Sequence, residues 1–128
     1  MTQSPPHSPP PVRNVLTFDV EDWYHGFGLA PSAQRALPRR LKTGLLRVLD
    51  ILDTRGVKAT FFVLGSLVAE WRTTLGLIAD AGHEIAAHGY HHKPVYRMLP
   101  AAFARDLRRA LMALRSLVSY PIRSYRAP

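Results

Sequence analysis

This chain contains no cysteine, which excludes disulfide bonds and thiolate metal sites. It also has no apolar run that approaches the roughly 20 residues needed to span a bilayer. The first residues lack the apolar core of a secretory signal, so a cytoplasmic location is the default expectation. The 128 residues are enough for one domain with a modest core.

Acidic residues are also few, because nine Asp and Glu stand against 17 Lys and Arg and the net charge is +8. Such a balance suggests an anionic partner, and a basic nucleic-acid-binding module is one alternative. The densest basic group is Arg105, Arg108, Arg109 and Arg115. It falls on a predicted helix, where it is expected to form the solvated face, so we expect no nucleic-acid partner.

The order of the predicted elements indicates an α/β fold. Residues 1–13 are rich in proline and predict a disordered leader before a single domain at 14–128. Four runs have the composition of strands: 14–20, 57–65, 83–88 and 122–128. Three segments have helical character. The first is 38–55 and ends at Gly56, and the second runs from Ser66, its predicted cap, to about Ala81 and ends at Gly82. The third begins at Pro100. This alternation predicts βαβ units and a parallel sheet.

Chemically unusual residues lie at the ends of three of the predicted strands. Asp19, Glu21 and Asp22 lie at the end of the first strand, "HGYHH" (88–92) at the end of the third, and "RAP" (126–128) at the end of the fourth. Right-handed crossovers bring the carboxyl ends of such strands to one rim, which is where α/β folds build their sites. We therefore expect the three groups to meet.

A cation is expected among the crowded carboxylates, because they repel one another. His88 and His92 are four residues apart, and two imidazoles with a carboxylate are a three-ligand set for catalytic zinc. The sequence therefore predicts a divalent metal site formed by His88, His92 and a carboxylate of the acidic group.

Three motifs together resemble a known family. "TFDVEDW" (17–23), "GHEIAAHGYHH" (82–92) and "YRAP" (125–128) are similar to the first three motifs of the polysaccharide deacetylases, also called the NodB homology family or carbohydrate esterase family 4. With "ATFFVLG" (59–65), they most resemble the deacetylases found with exopolysaccharide biosynthesis. The resemblance covers 14–128 and implies a partial (β/α) barrel of parallel strands alternating with helices.

The resemblance also implies an activity, namely metal-dependent removal of N-acetyl groups from an aminosugar polysaccharide or oligosaccharide. It gives Asp19 as the catalytic base, Arg126 as the residue that holds this base, and His88 and His92 as metal ligands. The implied cofactor is a divalent metal ion, with Zn²⁺ the favoured choice. The implied partner is the N-acetylated saccharide, and no membrane span is expected.

A second acid of the first motif binds the metal in the family, and two candidates exist here. Glu21 shares the face of Asp19 on an extended strand, whereas a turn starting there brings in Asp22. We favour Asp22 because its short carboxylate suits a tight site, with Glu21 as the alternative. Trp23 and Tyr24 are predicted to contact sugar rings. Gly89 stands where the family has Ser or Thr, so the loop is expected to lose one hydrogen bond.

The family protonates the leaving amine with a histidine of a late motif, which is not found in these residues. We therefore expect the chain to be the amino-terminal part of such a domain, truncated after the third motif and with little activity of its own. Another amide hydrolase on the same scaffold, similar to allantoinase, is the nearer alternative.

Overall fold

The structure is a computed structural model that describes residues 14–128, and the predicted leader at 1–13 lies outside the described residues. Three strands and four α-helices alternate along the described part of the chain: β1 (Thr17–Val20), α1 (Pro31–Arg35), α2 (Leu41–Thr54), β2 (Thr60–Val63), α3 (Val68–Asp80), β3 (Glu84–Ala87) and α4 (Pro100–Leu114). No helix within residues 14–128 has the length and apolarity needed to cross a membrane.

The three strands form one parallel sheet in the order β1-β2-β3. In its register, Asp19 is paired with Phe62, and Phe62 is paired with Ala86. The carboxyl ends of β1 and β3 therefore lie at the same edge on either side of β2. The predicted α/β fold of parallel strands alternating with helices is confirmed.

Helix α2 covers one face of the sheet with a stripe of leucines. Leu41, Leu45, Leu49 and Leu52 are all buried, at the spacing of one helix face. They belong to the same core cluster as Val63 of β2 and Ile85 of β3. Because central parallel strands are covered on both faces, these strands read as continuous apolar runs in the sequence.

The predicted helix ends are confirmed at two glycines and wrong at one serine. Gly56 and Gly82 have φ of +61° and +74°, the left-handed conformation that follows a helix end. Ser66 does not cap α3, because the helix begins at Val68 and no side chain caps it. Instead, Ser66 lies in a 3-10 turn, Gly65–Leu67, and its backbone N–H donates to the Tyr90 carbonyl.

The predicted fourth strand at 122–128 is wrong, because the structure has only an isolated parallel bridge between Ala87 and Tyr125 there. Two hydrogen bonds hold it: the Ala87 N–H donates to the Ser124 carbonyl, and the Arg126 N–H donates to the Ala87 carbonyl, both at 2.9 Å. This short contact still places Arg126 at the carboxyl end of β3.

The pairing between β3 and residues 122–128 stops on both sides of this bridge for local reasons. On one side, the Ile85 N–H donates to the Tyr120 hydroxyl at 3.0 Å and not to a backbone carbonyl. On the other side, Gly89 has φ of +76°, which turns the chain away from the strand direction. The composition of 122–128 favours a strand, but its partner offers only one position for pairing.

Candidate active site

Three metal-ligating side chains meet at the carboxyl edge of the sheet. Glu21 comes directly after β1, His88 comes directly after β3, and His92 follows four residues later. One ligand atom from each of the three lies within 4.8 Å of the other two, and no other such group occurs within residues 14–128. The rings of His88 and His92 are 5.3 Å apart and nearly perpendicular. The expected meeting of the acidic group with the histidines of 88–92 is therefore present in the structure.

His88 is held by its backbone and by one ring nitrogen. Its N–H donates to the Val63 carbonyl at 3.0 Å, and its side chain is 2% exposed. Its Nδ1 lies 3.0 Å from the Arg126 carbonyl oxygen, which can only accept a hydrogen bond. Nδ1 therefore carries the proton, and Nε2 keeps its lone pair for a ligand.

The Glu21 carboxylate has an unsatisfied oxygen in the middle of this group. Its Oε2 is buried and has no hydrogen-bond partner, although it lies 2.9 Å from Nε2 of His92. Burying a carboxylate oxygen without a partner is costly. A proton on His92 alone would leave the nearby lone pair of His88 unused. One cation shared by Glu21, His88 and His92 satisfies all three side chains. The donor set of two imidazoles and a carboxylate fits a divalent ion such as Zn²⁺.

Asp22, the acid that we favoured as a ligand, is bonded instead to the start of α2. The residue is 3% exposed, and its carboxylate accepts hydrogen bonds from the backbone N–H groups of Arg40, at 3.1 and 3.2 Å, and Leu41, at 3.4 Å. These donors open α2, where a negative charge satisfies free N–H groups and interacts with the helix dipole. The geometry thus places Glu21, and not Asp22, with the two histidines.

Asp19 and Arg126 form an ion pair beside this group. Nη1 of Arg126 donates to Oδ1 of Asp19 at 2.7 Å, and Nη2 donates to Oγ1 of Thr17 at 2.7 Å. The guanidinium carbon lies 4.1 Å from the centre of the Phe62 ring, a stacking distance for a cation on an aromatic face. The Asp19 side chain is 37% exposed, so it is held and still accessible to solvent.

Arg126 connects the ion pair to the histidines. Its side chain binds Asp19, while its carbonyl accepts from Nδ1 of His88. The supporting contacts of Thr17 and Phe62 were missed from the sequence. Thr17 shares the face of Asp19 by strand alternation, which was an available signal. The position of Phe62 beside Asp19 required the register of the sheet.

The aromatic residues after the acidic group differ in exposure. Trp23 and Phe27 are 50% and 69% exposed, with ring centres 6.2 Å apart. Tyr24 is only 7% exposed, which leaves little ring surface for the predicted contact with a sugar. Burial raises the pKa of the Tyr24 hydroxyl, and the nearby Asp22 charge adds to this effect.

A cavity of about 240 Å³ lies between β1 and α2. Its lining is mainly apolar, with Phe18 and Leu45 among its members, and it also includes Asp19, Glu21 and Asp22. His88 and His92 do not line it, so the cavity does not enclose the three-residue group.

Comparison with known proteins gives one consistent family. Residues 9–128 match the family model described as polysaccharide deacetylase. A chitooligosaccharide deacetylase from Bradyrhizobium sp. (strain ANU 289) is 37% identical over 82 residues, which are 63% of this chain and 37% of that protein. The peptidoglycan-N-acetylmuramic acid deacetylase PdaA from Bacillus subtilis is 30% identical over 91 residues, which are 67% of this chain and 34% of that protein. The chain thus spans about a third of the length of these relatives.

Solved structures agree on the fold. One from Mycobacterium smegmatis that carries the polysaccharide deacetylase name superposes with a TM-score of 0.79 and 31% identity, covering 99% of this chain and 48% of that one. A CE4 family pseudoenzyme from Bacillus anthracis superposes with a TM-score of 0.69 at 24% identity, covering 89% of this chain and 34% of that one. The second likeness supports the fold alone, because one fold hosts both active and inactive proteins.

Proposed function

The chain belongs to the polysaccharide deacetylase family, and on that premise we propose that it supplies the metal site and the base for hydrolysis of N-acetyl groups on an aminosugar polysaccharide. One observation carries the proposal. A buried, unpartnered carboxylate oxygen of Glu21 lies with two histidines near a carboxylate that an arginine holds.

Glu21, His88 and His92 would hold the metal ion in this proposal. A bound divalent ion, with Zn²⁺ the first choice, supplies Lewis acidity toward the acetyl carbonyl and the attacking water. The Arg126 carbonyl keeps the proton of His88 on Nδ1, so Nε2 is ready as a ligand without a change of tautomer.

Asp19 is the proposed general base. Its Oδ1 accepts the hydrogen bond from Arg126, and Oδ2 is left to accept a proton from the attacking water. The ion pair fixes the direction of the carboxylate, and the partial exposure of the side chain lets substrate approach it. A general base in this position contributes about 10²- to 10⁴-fold to the rate.

The proposed substrate is an N-acetylated saccharide, with an exopolysaccharide as the natural polymer. Trp23 and Phe27 offer exposed ring faces next to the acidic group, and such rings suit the apolar faces of sugars. The names of two relatives specify chitooligosaccharide and peptidoglycan N-acetylmuramic acid. Both are N-acetylated, which supports N-acetylglucosamine oligomers as the first probe.

Acetate release from N-acetylglucosamine oligomers, with and without Zn²⁺, tests the proposal. No residue in 14–128 is assigned to protonate the leaving amine, so we expect slow release that is best followed at high protein concentration over hours. Asp19→Asn should remove this release and keep the affinity for Zn²⁺. Asp50→Asn, at an exposed position of α2, is the matched control and should behave as the parent.

Two results would contradict this function. One is acetate release that is equal in the parent and in Asp19→Asn. The other is turnover of allantoin in place of acetate release, which would move the assignment to a different amide hydrolase on the same scaffold.

A further inference from the structure

The loop that carries the two histidines has a strained backbone. Gly89 has φ of +76°, and His92 has φ of +56° although it is not a glycine. A non-glycine residue in the left-handed region costs about 1–3 kcal/mol, and it persists only where its surroundings fix it. Contacts from other elements must therefore hold residues 88–92 in this shape.

Two of these contacts come from the 3-10 turn after β2. The Gly65 N–H donates to the Gly89 carbonyl, and the Ser66 N–H donates to the Tyr90 carbonyl, each at 3.0 Å. The turn packs so closely on the loop that a Cβ atom on Gly65 would lie 2.9 Å from the Tyr90 ring. These bonds satisfy the loop carbonyls but leave the loop N–H groups without a partner from this side.

Two further contacts come from α4. The Tyr90 N–H donates to Oδ2 of Asp106 at 2.8 Å, and the guanidinium of Arg109, one turn further along the helix, lies 3.9 Å from the centre of the Tyr90 ring. A hydrogen bond from an N–H to a carboxylate is among the stronger types in proteins. Asp106 thus binds the backbone of Tyr90, and Arg109 of the same helix contacts its side chain.

Position 89 itself cannot supply this anchor. A Cβ atom on Gly89 would lie 3.2 Å from Oδ2 of Asp106, and the positive φ adds strain for any side chain. The space that a side chain at position 89 would enter is therefore occupied by a carboxylate from another element. The hydrogen bond that we expected the loop to lose at Gly89 has a substitute.

We propose that Asp106 is a positioning residue, whose carboxylate fixes the His88–His92 loop through the Tyr90 N–H and so keeps both imidazoles in place for the metal ion. The purpose of this contact rests on the proposed function, but the contact itself does not. Its essential property is hydrogen-bond acceptance, because the bond is to the backbone N–H of Tyr90 and not to a ligand side chain.

Two substitutions at position 106 distinguish the effect of hydrogen-bond acceptance from that of the negative charge. Asp106→Asn keeps an acceptor oxygen and loses the charge, whereas Asp106→Ala loses both. In calorimetric titrations with Zn²⁺, Asp106→Ala should bind about 10- to 100-fold more weakly than the parent, the usual loss for an outer contact of a metal site. Asp106→Asn should recover nearly all of the affinity. Asp50→Ala, at an exposed position of α2, is the matched control and should bind as the parent does.

Hydrogen exchange in the metal-free chain gives a readout that does not depend on the metal. In Asp106→Ala the Tyr90 amide should exchange much faster than in the parent, while the His88 amide, bonded to Val63, should keep its protection. Equal acceleration of both amides would indicate general destabilisation and would overturn the positioning role.

The other outcomes also decide the proposal. It is overturned if Asp106→Ala binds Zn²⁺ as tightly as the parent, or if Asp106→Asn is as weak as Asp106→Ala. If the parent itself binds no Zn²⁺, the proposed function fails, and the exchange of the Tyr90 amide still decides whether Asp106 anchors the loop.

Discussion

Replacing Glu21 by glutamine should remove most of the affinity for Zn²⁺ and leave the metal-free fold nearly as stable as the parent. The reason is that the buried Oε2 of Glu21 has no hydrogen-bond partner, and its recorded contact is with Nε2 of His92 at 2.9 Å, so the metal-free fold loses at most this contact with the charge. The loss of a charged ligand should exceed the roughly 10- to 100-fold that outer contacts of a metal site contribute. Calorimetric titration with Zn²⁺ measures the affinity, and urea unfolding of the metal-free chain measures the stability.

Asp22→Ala is the matched comparison one residue away, and its effects should be reversed. The Asp22 carboxylate accepts hydrogen bonds from the N–H groups of Arg40 and Leu41 at the start of α2. Removing an acidic cap costs about 0.5–2 kcal/mol, and we expect the upper end because the site is buried. The affinity for Zn²⁺ should change little.

Crossed results would refute this reasoning. If Glu21→Gln binds Zn²⁺ like the parent while Asp22→Ala does not, the ligand is Asp22. If Asp22→Ala unfolds at the urea concentration of the parent, its carboxylate does not stabilise the start of α2.

Three further changes test other parts of the account. Phe62→Leu removes the ring under Arg126 and should slow acetate release with little change in Zn²⁺ affinity. Phe62→Tyr should keep both the rate and the affinity. Equal rates in the parent and the two variants would contradict the role of the ring. Burial, helped by the Lys58 charge, lowers the pKa of His83 from 6.5, so the unfolded chain binds more protons and the free energy of unfolding should fall as pH drops below about 6.5. Urea midpoints at several pH values should show less of this fall in His83→Gln, and an identical slope would contradict it. Gly89→Ala should destabilise the chain by about 1 kcal/mol or more, because φ is +76°, and an unchanged urea midpoint would contradict the strain.

The parts of the fold that depend on local patterns could be predicted from the sequence. The leucine stripe of α2, the glycines that end α2 and α3, and proline at the start of α4 are all read within one element. The meeting of the strand ends followed from the handedness of βαβ units. These features need no knowledge of which side chains touch.

The preference for Asp22 as the ligand did not take a distant contact into account. Alternation along an extended strand placed Glu21 on the face of Asp19, but we gave more weight to the shorter side chain of Asp22. The start of α2 carries no Ser, Thr, Asp or Asn at its cap, where Arg40 stands. That absence was a signal that a residue from elsewhere satisfies the helix, and Asp22 does so across 18 positions.

The contact between Asp106 and Tyr90 could not be predicted for a similar reason. The sequence showed that Gly89 lacks a side chain for the loop, but the substitute, Asp106, lies on α4 and bonds the neighbouring N–H of Tyr90. On the helix, Asp106 reads as one acid among several arginines. Only the packing of α4 against the loop distinguishes it from a solvated charge.

The most direct test of the central claim is X-ray absorption at the zinc edge on the equimolar complex of the chain with Zn²⁺. The account predicts two imidazole ligands with a carboxylate in the parent, and one imidazole in His88→Ala and in His92→Ala. His91→Ala, at the exposed position between them, is the control and should keep two. A zinc ion without histidine ligands, or a spectrum that His88→Ala and His92→Ala leave unchanged, would contradict the site.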